Sequence, residues 1–91
     1  MELNSGDYLL RLGMRNGHIV LAPDGRCELK NADGSAMEFI DVHGRKYVPE
    51  LPRRFFNIYR NEGLIRQDRS AAAGRGLVFR LTKNGKERVA S

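Results

Sequence analysis

Phe55-Phe56-Asn57-Ile58-Tyr59-Arg60-Asn61-Glu62-Gly63-Leu64-Ile65 and, after a stretch of small residues, Phe79-Arg80-Leu81-Thr82-Lys83-Asn84-Gly85-Lys86 are the two runs whose reading decides the fold. Ahead of the first stands Pro49-Glu50-Leu51-Pro52, and proline and an acidic side chain both suit the first turn of a helix. Helix is therefore predicted over 49–63, closed by Gly63. At 100° per residue, Leu51, Phe55, Ile58 and Glu62 share one side, while Arg53, Asn57 and Arg60 share the opposite one. That phase turns Phe55 and Ile58 inward and the arginines outward. Phe56, beside the arginine stripe, is assigned to a second layer of core in preference to a contact surface.

Past Gly63 the pattern changes to two β-prone runs, Leu64-Ile65 and Leu77-Val78-Phe79, around Arg69-Ser70-Ala71-Ala72-Ala73-Gly74-Arg75-Gly76. This predicts a hairpin over 64–82 with a small-residue tip. Thr82 is positioned to cap a short helix or turn over 83–91.

Upstream, Ile19-Val20-Leu21, Cys27-Glu28-Leu29-Lys30 and the apolar run from Met37 to Val42 are strand-like. They are punctuated by Pro23-Asp24-Gly25, Asp33-Gly34 and His43-Gly44. Turn signals about ten residues apart predict a small antiparallel meander over 18–48. In the opening segment, Asn4 and Ser5 offer caps, and Tyr8, Leu9 and Leu12 line one side of a helix placed over 1–17, with Gly17 closing it in the left-handed conformation. The sum is one α+β domain. Its predicted core is Leu9, Leu12, Leu51, Phe55, Ile58, Ile65, Phe79 and Leu81, with Phe55 bridging the second helix and the hairpin.

Ninety-one residues, 41% of them hydrophobic, leave room for one modest core. Homodimerisation is one route by which so small a core gains stability. A single cysteine, Cys27, excludes an intramolecular disulfide. No apolar run approaches the roughly 20 residues of a membrane span, and Glu2 and Asp7 stand where a secretory leader would carry basic residues. A cytoplasmic protein without a membrane partner is expected.

Charge separates the two halves. Residues 1–44 hold four basic and seven acidic side chains, for −3, and residues 45–91 hold twelve basic and four acidic ones, for +8. Most of the C-terminal cations are arginine. A basic surface of this kind is the footprint of a polyanion binder.

Catalysis finds no constellation. His18 and His43 lack cysteine or carboxylate neighbours at metal-ligand spacing. Glu38 and Asp41 fall on opposite faces of an extended segment, and Cys27 reads as a small buried apolar residue. No enzyme, metal or cofactor is expected.

The helix, the Gly63-Leu64-Ile65 junction, the loop and the closing Leu81-Thr82-Lys83-Asn84-Gly85-Lys86 together resemble the C-terminal half of winged-helix DNA-binding domains, over roughly residues 50–90. The resemblance stops upstream, where strands stand in place of the first helix of a helix-turn-helix. It implies that residues 49–63 form a recognition helix and 64–82 a wing. Physical chemistry gives the same residues matching roles. Arginine grips phosphate or a guanine edge with two parallel hydrogen bonds, and asparagine pairs with adenine. Arg53, Asn57 and Arg60 are the expected base readers, and Arg66, Arg69, Arg75, Arg80, Lys83 and Lys86 the expected phosphate contacts. The expected partner is duplex DNA, and the expected role is a regulator or accessory factor of a cellular or mobile genetic element. The alternative is a small inhibitor or adaptor of phage type that docks the same cations on the acidic surface of a nucleic-acid enzyme.

Overall fold

The computed structural model describes residues 3–71, 74 and 76–90. Its first helix, α1 (Ser5–Met14), is fixed at its start by a reciprocal pair: the Asn4 side chain accepts from the Asp7 amide at 2.9 Å, and the Asp7 carboxylate accepts from the Asn4 amide at 2.9 Å. Tyr8, Leu9 and Leu12 are its buried side. The helix ends before Gly17. Asn16 takes the left-handed conformation, with φ 50°. Gly17 is needed instead for a close approach, since a Cβ there would lie 2.5 Å from the Lys30 carbonyl and 2.8 Å from Met37.

Strands β1 (His18–Leu21), β2 (Cys27–Lys30), β3 (Phe39–Ile40), β4 (Lys46–Tyr47) and β5 (Glu50–Leu51) follow. Helix α2 (Arg53–Asn61), strands β6 (Ile65–Gln67) and β7 (Leu77–Leu81) and helix α3 (Lys83–Ala90) complete the chain. The main sheet is antiparallel in the order β5-β2-β1-β7-β6, and β3 and β4 pair separately as a second, two-stranded sheet. The expected meander therefore breaks after β2. The chain makes a second hairpin and returns to the outer edge of β2 as β5, pairing Leu51 with Cys27.

That return also corrects the second helix, which spans 53–61 and not 49–63. A residue before proline is held extended, and Leu51 before Pro52 uses that restriction to bury its side chain in the sheet. The turns rest on one device. Asp24, Asp33, Asp41 and Asp68 each accept a hydrogen bond at 2.8–3.1 Å from the amide two residues on. Much of the acidic charge of the first half is thus engaged in turns.

The core joins Leu9, Leu12, Ile19, Leu29, Met37, Phe39, Leu51, Phe56, Tyr59, Leu64 and Phe79. Three expected members differ. Ile58 is exposed, and Phe55 is only partly buried at the margin, where its ring lies 5.8 Å from that of Tyr8. Phe56 takes the bridging place, wholly buried and edge-on to Phe79 at 4.9 Å. Leu81 also packs at the margin. Once Leu51 belongs to a strand, the wheel has a different anchor, and Phe56 with Tyr59 sets the phase. The Tyr59 hydroxyl donates to the Ser5 carbonyl, which ties α2 to α1.

Helix α3 is seated through Thr82, whose hydroxyl donates to the Gly63 carbonyl at 2.6 Å and accepts from the Gly85 amide at 3.1 Å. Gly85 has no space for a side chain, because a Cβ would fall on the Leu64 carbonyl.

Candidate nucleic-acid interface

Rotating α2 about its axis changes which of its polar groups face out. Arg53, Arg54, Asn57, Arg60 and Asn61 are all exposed. With Phe56 and Tyr59 at the core, Arg54, Asn57 and Asn61 point most directly away from it, while Arg53 and Arg60 stand on the flank beside Phe56. The guanidinium of Arg53 lies 5.4 Å from the Phe56 ring centre, and that of Arg60 lies 5.8 Å from Phe56 and 5.5 Å from Phe79. Rings hold both cations by their faces. Arg53 additionally donates to the Gly25 carbonyl at 3.2 Å, reaching the β1–β2 turn. Sequence reasoning passed over Arg54 and Asn61. The signal is present in their spacing, but a wheel anchored on Leu51 turns both to the flank, off the stripe of Arg53, Asn57 and Arg60.

The remaining expected contacts divide between locations. In the β6–β7 register Arg66 is opposite Arg80, and Ile65 is opposite Leu81. Ile65 and Phe79 are core residues, so Arg66 and Arg80 lie on the other face of the sheet from the helices. A concavity of about 430 Å³ brings Arg66, Arg69 and Arg80 together with Asp68 and Thr82. Asp68 accepts from Arg80 Nε at 2.7 Å and from the Ser70 hydroxyl at 2.6 Å. The Ser70 and Arg80 hydrogen bonds press the Asp68 carboxyl down to about 2. Arg80 is thus partly neutralised. Lys86 lines a second concavity with Arg80, between the end of α1 and α3, and Lys83 is exposed on the first turn of α3. Arg75 lies outside the described residues.

The structure therefore assembles two cationic groups and not one continuous surface. Arg53, Asn57 and Arg60 sit on α2, and Arg66, Arg69 and Arg80 sit on the outer face of the hairpin. Among the described residues, the ion pairs engage Arg26, Lys46, Arg80 and Arg88, and leave Arg60, Arg66, Arg69, Lys83 and Lys86 without a carboxylate.

Cys27 is buried, and burial pushes its thiol upward, away from the reactive thiolate. Among the described residues no group of three or more His, Cys, Asp or Glu side chains is placed to hold a metal ion, and no helix is long and apolar enough to cross a membrane. Comparison of the chain with protein-family models, curated proteins and solved structures finds no match.

Proposed function

We propose that this domain binds duplex DNA, as a regulator or accessory factor of a cellular or mobile genetic element, with α2 at the bases and the cations of the β6–β7 hairpin on a separate stretch of backbone. The observation that carries the reading is the surface of α2. Nine residues give a rod about 13 Å long, a size that the major groove accepts. No acidic side chain interrupts it from Arg53 to Asn61.

The aromatic seating of Arg53 and Arg60 is a further support. An arginine fixed over a ring loses less freedom on binding than one that ranges through solvent. The order α2, β6, tip, β7, with β7 returning beside β1, agrees with what the winged-helix resemblance implies for the C-terminal half. The strands β3 to β5 occupy the place of the missing upstream helix.

Two classes of variant test the proposal. Replacing Arg53 and Arg60 with glutamine is expected to reduce discrimination between duplex sequences. Replacing Arg69 and Arg75 is expected to weaken all sequences alike and to flatten the salt dependence by about one unit per lost phosphate contact. Capture of a protein partner through the same arginines, with no duplex bound at about 50 mM salt, would replace this reading with the inhibitor or adaptor.

A further inference from the structure

The face of the main sheet turned away from the helices carries a row of three cations and one histidine. Ile19 pairs with Leu29 on one side and Phe79 on the other, and all three are core. Their strand neighbours consequently project from the opposite face. In register these are Lys30, His18 and Arg80, and Arg80 is in turn opposite Arg66. Four adjacent strands thus present Lys30, His18, Arg80 and Arg66 side by side, across about three strand spacings or 14 Å. Like charges directly opposite one another destabilise a sheet. The next row, Glu28, Val20 and Val78, has no such conflict. A local rule broken without full internal compensation points to a functional or strained site.

Compensation within the row is partial. Asp68 takes only the Nε of Arg80, and neither Lys30 nor Arg66 meets a carboxylate among the described residues. The second observation is independent of charge. His18 is only 8% exposed, and its Nδ1 is buried without a hydrogen-bond partner. Buried polar atoms are nearly always bonded. Burial first, then Arg80 and Lys30, lower the His18 pKa, which keeps the ring neutral at pH 7. The ring therefore separates Lys30 from Arg80 in the register without adding to the repulsion.

We infer that the row Lys30–His18–Arg80–Arg66 is a binding site for phosphate oxyanions, in which the three cations take the charge and the neutral, almost wholly buried His18 ring is seated between Lys30 and Arg80. The ligand is the phosphodiester backbone of nucleic acid. That identity rests on the DNA-binding reading, whereas the site itself does not. Arginine and lysine are the side chains suited to this group, arginine by its two-pronged geometry and lysine as a point charge. The row is longer than one phosphate, since each strand of a duplex carries a charge every 3.4 Å along the axis. It lies on the opposite face of the sheet from α2. A second stretch of backbone, or a second duplex, is what it would hold.

The test follows the His18 ring nitrogens and the arginine Nε–H groups by NMR in the full chain, titrated separately with a short duplex and with inorganic phosphate. The variant K30Q/R66Q changes only side chains that are not fully buried and serves in both titrations. The expected result is a saturable shift of the His18 ring and the Arg66 and Arg80 signals with duplex. In the variant that shift is expected to disappear, the duplex affinity to fall about tenfold, and the salt slope to flatten by about two units. Duplex bound with only α2 signals moving, and K30Q/R66Q within twofold of wild type, overturns the row while leaving the DNA reading intact. A saturable His18 shift with phosphate, lost in the variant, in a chain that binds no duplex keeps the site and overturns the DNA reading. No His18 shift with either titrant overturns the row outright.

Discussion

The surface of α2 and the outer face of the sheet are both built from arginine, yet they hold it in opposite ways. On α2, Arg53 and Arg60 lie over the rings of Phe56 and Phe79, so the buried aromatic pair that fastens the helix to β7 also positions the cations above it. On the sheet, Arg66 and Arg80 face each other across two strands, and one aspartate, Asp68, pairs with Arg80. The first arrangement stabilises the fold while presenting charge. The second presents charge against a cost in repulsion, which a bound anion relieves. A cation's value for binding depends on what restrains it, and composition alone does not show the restraint.

The largest expected effect breaks the first arrangement at its base. Truncating Phe56 to alanine should cost about 3–5 kcal/mol in chemical denaturation, enough to unfold much of a domain this small. The same change at the neighbouring, partly buried Phe55 should cost nearer 1 kcal/mol. Equal costs would mean that α2 is rotated from the phase described here. Gly85→Ala comes next. A Cβ forced against the Leu64 backbone should destabilise by about 1–3 kcal/mol and loosen α3 in hydrogen exchange.

Smaller, and confined to α2, is the loss from replacing Arg53 or Arg60 with glutamine. About 1–3 kcal/mol of sequence discrimination is expected at a base each one reads, with thermal stability changed far less. Competition between specific and random duplexes measures it.

Proton titration sharpens the contrast on the sheet side. His18 has a lowered pKa in the folded chain, so the unfolded chain binds more protons just below its ordinary value of about 6.5. Stability is accordingly present above pH 6.5 and lost as the pH falls below it, and H18Q should flatten a melting-temperature profile between pH 7.5 and 5.5. Asp68 behaves in the same direction at lower pH. With its carboxyl held at about 2, its contribution is present above roughly pH 4 and is lost as the pH falls towards 2. D68N should remove that part of the acid sensitivity, read in the β6–β7 amides.

Much of this architecture is legible locally. Asn4 and Asp7 announce the start of α1 three residues apart, the Asp-containing turns separate β1 from β2, and Thr82 caps α3 as its position before Lys83 suggests. What is not legible depends on distant partners. Phe55, Phe56, Ile58 and Tyr59 offer α2 a broad apolar arc, and the choice of Phe56 and Tyr59 is made by Phe79 and by the Ser5 carbonyl 54 residues away from Tyr59. The place of Leu51 in β5 is decided by Cys27. The charged row is hidden for the same reason. His18, Lys30, Arg66 and Arg80 each alternate with an apolar neighbour, which hints at their shared facing, but only the strand order β2-β1-β7-β6 puts them side by side.

The central claim, that these cations grip duplex DNA, is tested most directly by fluorescence polarisation of the wild-type chain on a labelled duplex from about 50 to 200 mM salt. The prediction is affinity that falls linearly with salt on logarithmic axes, with a slope of several units at about 0.9 per phosphate contacted. Absence of binding at the lowest salt, or an affinity that salt leaves unchanged, would contradict it.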